Sequence, residues 1–211
     1  MEVLAVIDLI PGIMDRGPFR DSLKKAIATE ETLSLALMDA DSFMELNELQ
    51  GEEAGDRLLL LLGAVLSANA QAYGWQVGRI GGDEFALFLP GVTLERAFLA
   101  MEALRAELVQ KMNGPFDPIK PTFSIGVVNC PRDAKDVSGL FRQAENALFQ
   151  AKEAGRNQVA LPAKEEMVLR SCYYTTTQLA RLKKLAEQAK KKESVLLREA
   201  LDDLLRKYDV K

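Results

Sequence analysis

The chain has 211 residues, 48% hydrophobic and 27% charged, the balance of an ordinary globular protein with room for one large domain or a medium and a small one. It contains no histidine, which excludes His-based triads, His zinc sites and a His general base. Any catalysis must use carboxylates, Lys, Arg, backbone groups and a bound metal. Cys130 and Cys172 lie far apart and form no motif, so reduced, partly buried thiols in a cytoplasmic protein are expected. No run approaches ~18 apolar residues, so no membrane span is expected, and the start Met-Glu-Val-Leu-Ala-Val-Ile-Asp lacks the basic region of a signal peptide. The net charge of −4 conceals a split: residues 1–162 hold 15 basic and 23 acidic side chains, residues 163–211 hold 12 and 8. An acidic body with a basic tail hints that the tail meets a polyanion.

In chain order, residues 17–29 read as a helix through Phe19, Leu23, Ala26 and Ile27. Residues 32–38 read as a strand ending at Asp39, and 53–72 as a long, Leu-rich helix. A hairpin is expected over 75–89, with Arg-Ile-Gly-Gly-Asp-Glu-Phe at 79–85 as its turn. Residues 93–110 form an amphipathic helix through Leu94, Ala97, Phe98, Met101, Leu104 and Leu108. A Gly- and Pro-containing loop leads to a strand at 122–128, a helix at 137–154 ended by Gly155, and a last strand near 157–161. Pro162 and Lys164-Glu165-Glu166 mark a boundary, giving domains 1–161 and 162–211.

The hairpin tip is the most informative run. Two glycines allow φ > 0 and present bare amides beside Asp83 and Glu84. Bare amides can approach a phosphate, and a carboxylate can hold the Mg²⁺ that accompanies it. A second carboxylate, Asp39, stands at a strand end, as in a cation site built from two elements. Asn47 and Asp56 carry side chains suited to a guanine edge. Lys152 and Arg156, four apart on one helix face, can reach the same phosphates. Taken singly, each feature has a structural alternative: a turn, a helix cap or a solvated charge pair.

Together and in this order they resemble the GGDEF domain, the diguanylate cyclase superfamily. Asp8-Leu9-Ile10-Pro11-Gly12-Ile13 with Asp15, Arg16 and Phe19 resembles the family's opening D-x-L-T-G-L-x-N-R-x-x-F. Asp39 to Asp56 resembles D-x-D-x-F-K-x-x-N-D-x-x-G-H-x-x-G-D, and Gly81 to Phe85 is the signature itself. Thr122 to Gly126 and Ala144 to Asn157 resemble the closing T-x-S-I-G and A-D-x-A-L-Y-x-A-K-x-x-G-R-N. The resemblance implies an α+β fold, a palm-like, mostly antiparallel sheet wrapped by helices. It implies that two GTP, one per domain, condense to cyclic di-GMP and two pyrophosphates, with Mg²⁺ or Mn²⁺ as cofactor. By resemblance Asp39, the Ala40 carbonyl and Asp83 hold the metal, and Glu84 assists the attacking hydroxyl. Gly81 and Gly82 admit the phosphates, Phe43 contributes to nucleotide binding, Asn47 and Asp56 read guanine, and Lys152 and Arg156 bind terminal phosphates.

The chain also departs from that pattern. Met44 replaces a phosphate-facing Lys, Glu48 the usual Asp and Glu52 the usual His. Ala72 and Trp75 stand where many members carry an inhibitory R-x-x-D pair. Only seven residues precede Asp8, so the usual N-terminal sensor is expected to be missing.

The tail reads as a strand at 167–174, a capping box at Thr175 and Gln178 opening a helix, a Lys190-Lys191-Lys192 turn, and a helix from Ser194 to Tyr208. This order resembles the ribbon-helix-helix module, a β-α-α dimerisation fold whose paired strands enter the DNA major groove. The resemblance places Leu169, Ser171 and Tyr173 on the reading face, with Lys190, Lys191 and Lys192 toward phosphates. One continuous helix through the lysines is the alternative, since 178–208 contains no Gly or Pro. Two functions stay open: a cyclase on a DNA-binding dimer, or a regulator whose GGDEF domain senses GTP or cyclic di-GMP without turnover.

Overall fold

The structure, a computed structural model, describes residues 12–162 and 171–208. The chain divides into two compact units, Met1–Glu165 and Glu166–Lys211. In the first, β1 (Ile13–Asp15), β2 (Leu33–Asp41), β3 (Gln76–Arg79), β4 (Glu84–Pro90), β5 (Thr122–Cys130) and β6 (Val159–Ala160) form a six-stranded sheet. Its order is β1-β3-β4-β2-β5-β6. Central β2 pairs antiparallel with β4 and β5, while the short edges β1 and β6 join β3 and β5 in parallel.

Helices cover both faces, so every residue of β2 is buried and its side chains are apolar apart from Ser34, Asp39 and Asp41. Successive side chains on a strand point to opposite faces. Accordingly Ala36, Met38 and Ala40 pack with α3 (Glu52–Tyr73) and α4 (Leu94–Met112). Leu33, Leu35 and Leu37 pack with Phe19 and Leu23 of α1 (Arg16–Thr29) and Leu140, Ala144 and Leu148 of α5 (Val137–Glu153). Gly126 of β5 sits beneath α5, where a Cβ would collide with the Ala144 carbonyl oxygen and the Leu148 amide nitrogen. Cys130 is buried and burial pushes its thiol up, whereas Cys172 is exposed rather than partly buried.

Three local features differ from the sequence pattern. First, β2 does not end at Asp39: it runs on to Asp41, because β5 pairs with it through Asp41↔Thr122. Asp disfavours strands, but a neighbouring strand with partners for its carboxylate overrides that preference. Second, the pattern assigns no element to 43–50, yet α2 (Phe43–Gln50) forms there with only Leu46 buried. Third, α5 stops at Glu153, so Arg156 is not on its face. Gly155, at φ +114°, lets the chain turn back, with Gly155 N–H donating to Lys152 O and Arg156 N–H to Ala151 O.

The second unit holds α6 (Thr176–Ala189) and α7 (Glu193–Tyr208). The capping box forms: Thr175 Oγ1 accepts from Gln178 N–H at 3.2 Å, and Gln178 Oε1 accepts from Thr175 N–H at 2.9 Å. The helix is not continuous through the lysines. Lys190 adopts φ +52° and closes α6, with Lys190 and Lys191 N–H donating to Glu187 and Ala186 carbonyls. Residues 167–170 of the expected ribbon, and Asp8 to Pro11 of the opening motif, lie outside the described residues. Residues 171–174 form no strand in the single chain. A ribbon strand needs a neighbour for its N–H and C=O groups, and in the resembled module that neighbour is a second copy.

Candidate functional site

The β2–β4 register ends at Asp39↔Glu84, so these two carboxylate residues are direct cross-strand neighbours. Asp83 precedes Glu84 at the hairpin tip, and Ala40 lies one residue past the last β2–β4 pair. Asp39 is buried, and Lys152 on the last turn of α5 reaches it: Nζ lies 2.7 Å from Oδ1. Sheet pairing thus brings Asp39, Ala40, Asp83 and Glu84 to one end of β2, and α5 adds Lys152.

The glycines of the tip work differently from the sequence expectation. Neither Gly81 nor Gly82 adopts positive φ. A Cβ on Gly82 would meet nothing within 4 Å, and one on Gly81 only ordinary contacts with Glu84. Neither conformation nor packing therefore demands glycine at 82, which leaves open space over its backbone for a ligand. Gly81 N–H is already engaged, donating weakly to Glu84 O at 3.3 Å. Arg79, which the sequence reading gives no role, fixes the tip by donating to the Gly81 and Gly82 carbonyls at 2.6–3.2 Å.

A one-residue turn brings Asn47 against Gly55, the neighbour of Asp56. Gly51, at φ +83°, is both the end of α2 and the start of α3. Asn47 packs over Gly55, where a Cβ would overlap its Oδ1 and touch Phe43. That Oδ1 is buried with no hydrogen-bond partner among the described residues. A buried acceptor without a donor is costly, and a base edge carrying N–H groups would satisfy it.

Among the described residues no three His, Cys, Asp or Glu side chains converge as a metal cage. Two carboxylates and one carbonyl is the number Mg²⁺ takes from a protein when phosphates and waters supply the rest. The residues fit a metal that arrives with its nucleotide, and the drawing of Lys152 onto Asp39 shows that this carboxylate attracts a cation.

The second aspartate of D-x-D serves another purpose. Asp41 is buried and accepts from Thr122 Oγ1 and Ser124 Oγ, each at 2.8 Å, and from Asn157 N–H at 3.1 Å. The signal was present in the sequence as the T-x-S of 122–124 and the Asn after Arg156, but only pairing of β5 with β2 shows that they meet.

A family profile described as "Diguanylate cyclase, GGDEF domain" matches residues 5–158. The chain belongs to the GGDEF family. A ribbon-helix-helix domain follows the GGDEF domain, at residues 170–209. The chain is 33% identical to the diguanylate cyclase DgcM of Escherichia coli (strain K12) over 163 residues, 75% of this chain and 39% of DgcM. It is 30% identical to the diguanylate cyclase DgcS of Shewanella oneidensis over 161 residues, 74% of this chain and 53% of DgcS. It therefore spans between a third and just over half the length of these curated relatives. The GGDEF domain of DgcB from Caulobacter crescentus, solved in complex with c-di-GMP, superposes with TM-score 0.64 at 28% identity. That match covers 72% of this chain and 90% of that one.

Against the family pattern, Met44 is exposed on the first turn of α2. At the two positions matching the R-x-x-D pair of many members stand Ala72 and Trp75; Trp75 is buried, with the neighbouring Tyr73 stacked on it at 4.9 Å between centroids. In the ribbon-helix-helix unit Ser171 and Tyr173 are exposed, Lys191 is paired with Glu199 at 2.7 Å, and Leu169 lies outside the described residues. Among the described residues no helix is long and apolar enough to cross a membrane.

Proposed function

We propose that this GGDEF domain binds GTP with Mg²⁺ or Mn²⁺ and condenses two GTP into cyclic di-GMP, tethered to a ribbon-helix-helix unit that dimerises and binds DNA. The observation that carries the reading is the meeting of Asp39, Glu84 and Lys152 at one end of β2, beside an open glycine tip. Asp39, the Ala40 carbonyl and Asp83 would hold the metal, which when bound acidifies a hydroxyl and neutralises phosphate charge. Gly82 leaves room for the phosphates. Phe43, Asn47 and Asp56 bind the nucleotide, the last two reading guanine, and Lys152 and Arg156 grip the terminal phosphates. Glu84 assists the attacking hydroxyl of the second nucleotide. Ala72 and Trp75 offer neither guanidinium nor carboxylate to a product at the family's inhibitory position, so feedback at that site is expected to be absent.

The test is to incubate the full chain with GTP and Mg²⁺ and to look for cyclic di-GMP and pyrophosphate by chromatography. Product establishes a cyclase. Bound GTP without product selects the second reading, a regulator that senses nucleotide, which the missing cation at Met44 favours. A charge-assisted hydrogen bond is worth about 1.5–3 kcal/mol. Met44→Lys is therefore expected to tighten GTP binding about tenfold in titration calorimetry. No change would show that residue 44 does not face the phosphates.

The tail is expected to pair two chains through 167–174, with Leu169, Ser171 and Tyr173 toward base edges and Lys190, Lys191 and Lys192 toward phosphates. Two-fold symmetry would serve a palindromic operator and a two-fold product alike. Ser171→Ala with Tyr173→Ala is expected to weaken binding to a selected operator about tenfold or more while sparing random DNA. Equal losses on both, with the salt dependence unchanged, would reduce the tail to charge attraction.

A further inference from the structure

Three non-glycine residues near the end of β2 hold left-handed backbone: Ser42 at φ 60°, Arg156 at 62° and Asn157 at 49°. For a long side chain such as Arg this conformation is unfavourable, and it persists only where the surroundings over-determine it. The surroundings of Arg156 do so. Its own N–H donates to Ala151 O at 3.0 Å. The N–H of the next peptide, on Asn157, donates to Asp41 Oδ2 at 3.1 Å. The Asn157 side chain accepts from Arg105 at 2.7 Å, and Arg105 is itself paired with Glu102 at 2.7 Å. Glu102 in turn accepts the Val159 N–H at 3.1 Å.

Asp41 is the buried end of this chain of contacts. Its carboxylate is clamped by Thr122 and Ser124, so it presents Oδ2 from a fixed position. Asp39 and Asp41 lie on the same side of β2. They grip the two ends of one short segment: Asp39 takes the Lys152 ammonium, Asp41 the Asn157 amide. That segment carries both candidate phosphate cations.

We propose that Asp41 is the positioning residue of the phosphate grip: it fixes the strained 155–157 turn and so aims Arg156 at the terminal phosphates of the nucleotide. This inference rests on the GTP-binding reading above. Asp41 touches neither metal nor nucleotide and acts through Arg156.

The experiment measures GTP and GMP affinities of the full chain by calorimetry, with Mg²⁺, for the wild type, Asp41→Asn, Arg156→Ala and the double variant. Asp41→Asn puts an amide where three donors converge. GTP affinity is expected to fall about tenfold with GMP affinity unchanged, since GMP lacks the terminal phosphates. Added to Arg156→Ala, it is expected to cost nothing further, as for two residues acting through one contact. A merely structural role would lower GTP and GMP together, or add its loss to that of Arg156→Ala, and either result overturns the proposal. If Asp41→Asn does not fold, Ser124→Ala keeps the charge but frees one carboxylate oxygen, and the GTP-to-GMP ratio is expected to fall about threefold. An unchanged ratio there also overturns it. A wild type that binds no GTP defeats the GTP reading and the inference together, whereas wild-type binding with an unaffected Asp41 variant defeats the inference alone.

Discussion

Asp83→Ala is expected to abolish cyclic di-GMP synthesis while leaving the fold intact. Asp83 is half-buried beside the exposed glycines of the β3–β4 hairpin tip, and strand pairing begins at Glu84, so truncating it removes no strand pairing. Away from caps and cores such changes alter stability by about 0.5 kcal/mol. Chemistry is far more sensitive. Mg²⁺ takes one or two carboxylates from the protein, so losing Asp83 removes up to half of the charged donor set. Removal of a single oxyanion donor in other enzymes costs about 10²–10³ in rate, and a lost metal carboxylate is expected to cost about 10³ or more. The reading is product formed per hour under saturating GTP, with a melting curve beside it. Activity within tenfold of the wild type would remove Asp83 from the metal set. A collapsed melting curve would show that the tip is structural.

Gly126→Ala is the second large effect, and it acts on stability. Gly126 pairs with Leu37 on one side and Ala160 on the other, in the middle of the sheet. A methyl group there would overlap the Ala144 carbonyl oxygen and the Leu148 amide nitrogen, both α5 backbone. A flexible side chain could swing aside, but a helix backbone can relieve the overlap only by lifting off the sheet. That would strip contacts from Leu140, Ala144 and Leu148, which pack against Leu35, Leu37 and Phe88. Overpacking of this kind costs typically 1–3 kcal/mol, and contact with backbone puts the expectation at about 3 kcal/mol. For a chain of this size that lowers the melting temperature by about 6–12 °C. The chain has one tryptophan, Trp75, packed in the core of the first unit. Its fluorescence therefore follows the unfolding of that unit separately from the tail. Because α5 carries Lys152 toward Asp39, the variant is also expected to lose GTP affinity. An unchanged melting point would mean that α5 rides less closely on β5 than the structure has it.

Much of the molecule was legible in the residues alone. The strongly periodic helices α1, α3, α4 and α5, and the apolar strands of the central sheet, follow from side-chain pattern, because burial against a sheet imposes the same periodicity in any context. The signature run and the order of the motif blocks identify the family without coordinates. The capping box at Thr175 and Gln178 is local chemistry, and it formed as its residues specify. Length, charge and the absence of histidine narrowed the chemistry to carboxylates, cations and a metal.

What the sequence left open required partners distant in the chain. Whether the helix breaks at Lys190 was undecided, because no Gly or Pro marks the place; the structure breaks it by holding a lysine in left-handed backbone. The extension of β2 to Asp41 depends on Thr122 and Ser124, some 80 residues away. The spacing of Lys152 and Arg156 suggested one helix face, but α5 ends at Glu153, so Arg156 lies in a turn whose next amide, that of Asn157, donates to Asp41. Neither Gly81 nor Gly82 uses positive φ, and the open space above Gly82 is a property of the assembled tip. Local propensity and motif order belong to the sequence. Which donors Asp39 and Asp41 meet is set by tertiary structure: strand register brings Thr122 and Ser124 to Asp41, and the packing of α5 and its following turn brings Lys152 to Asp39 and the Asn157 amide to Asp41.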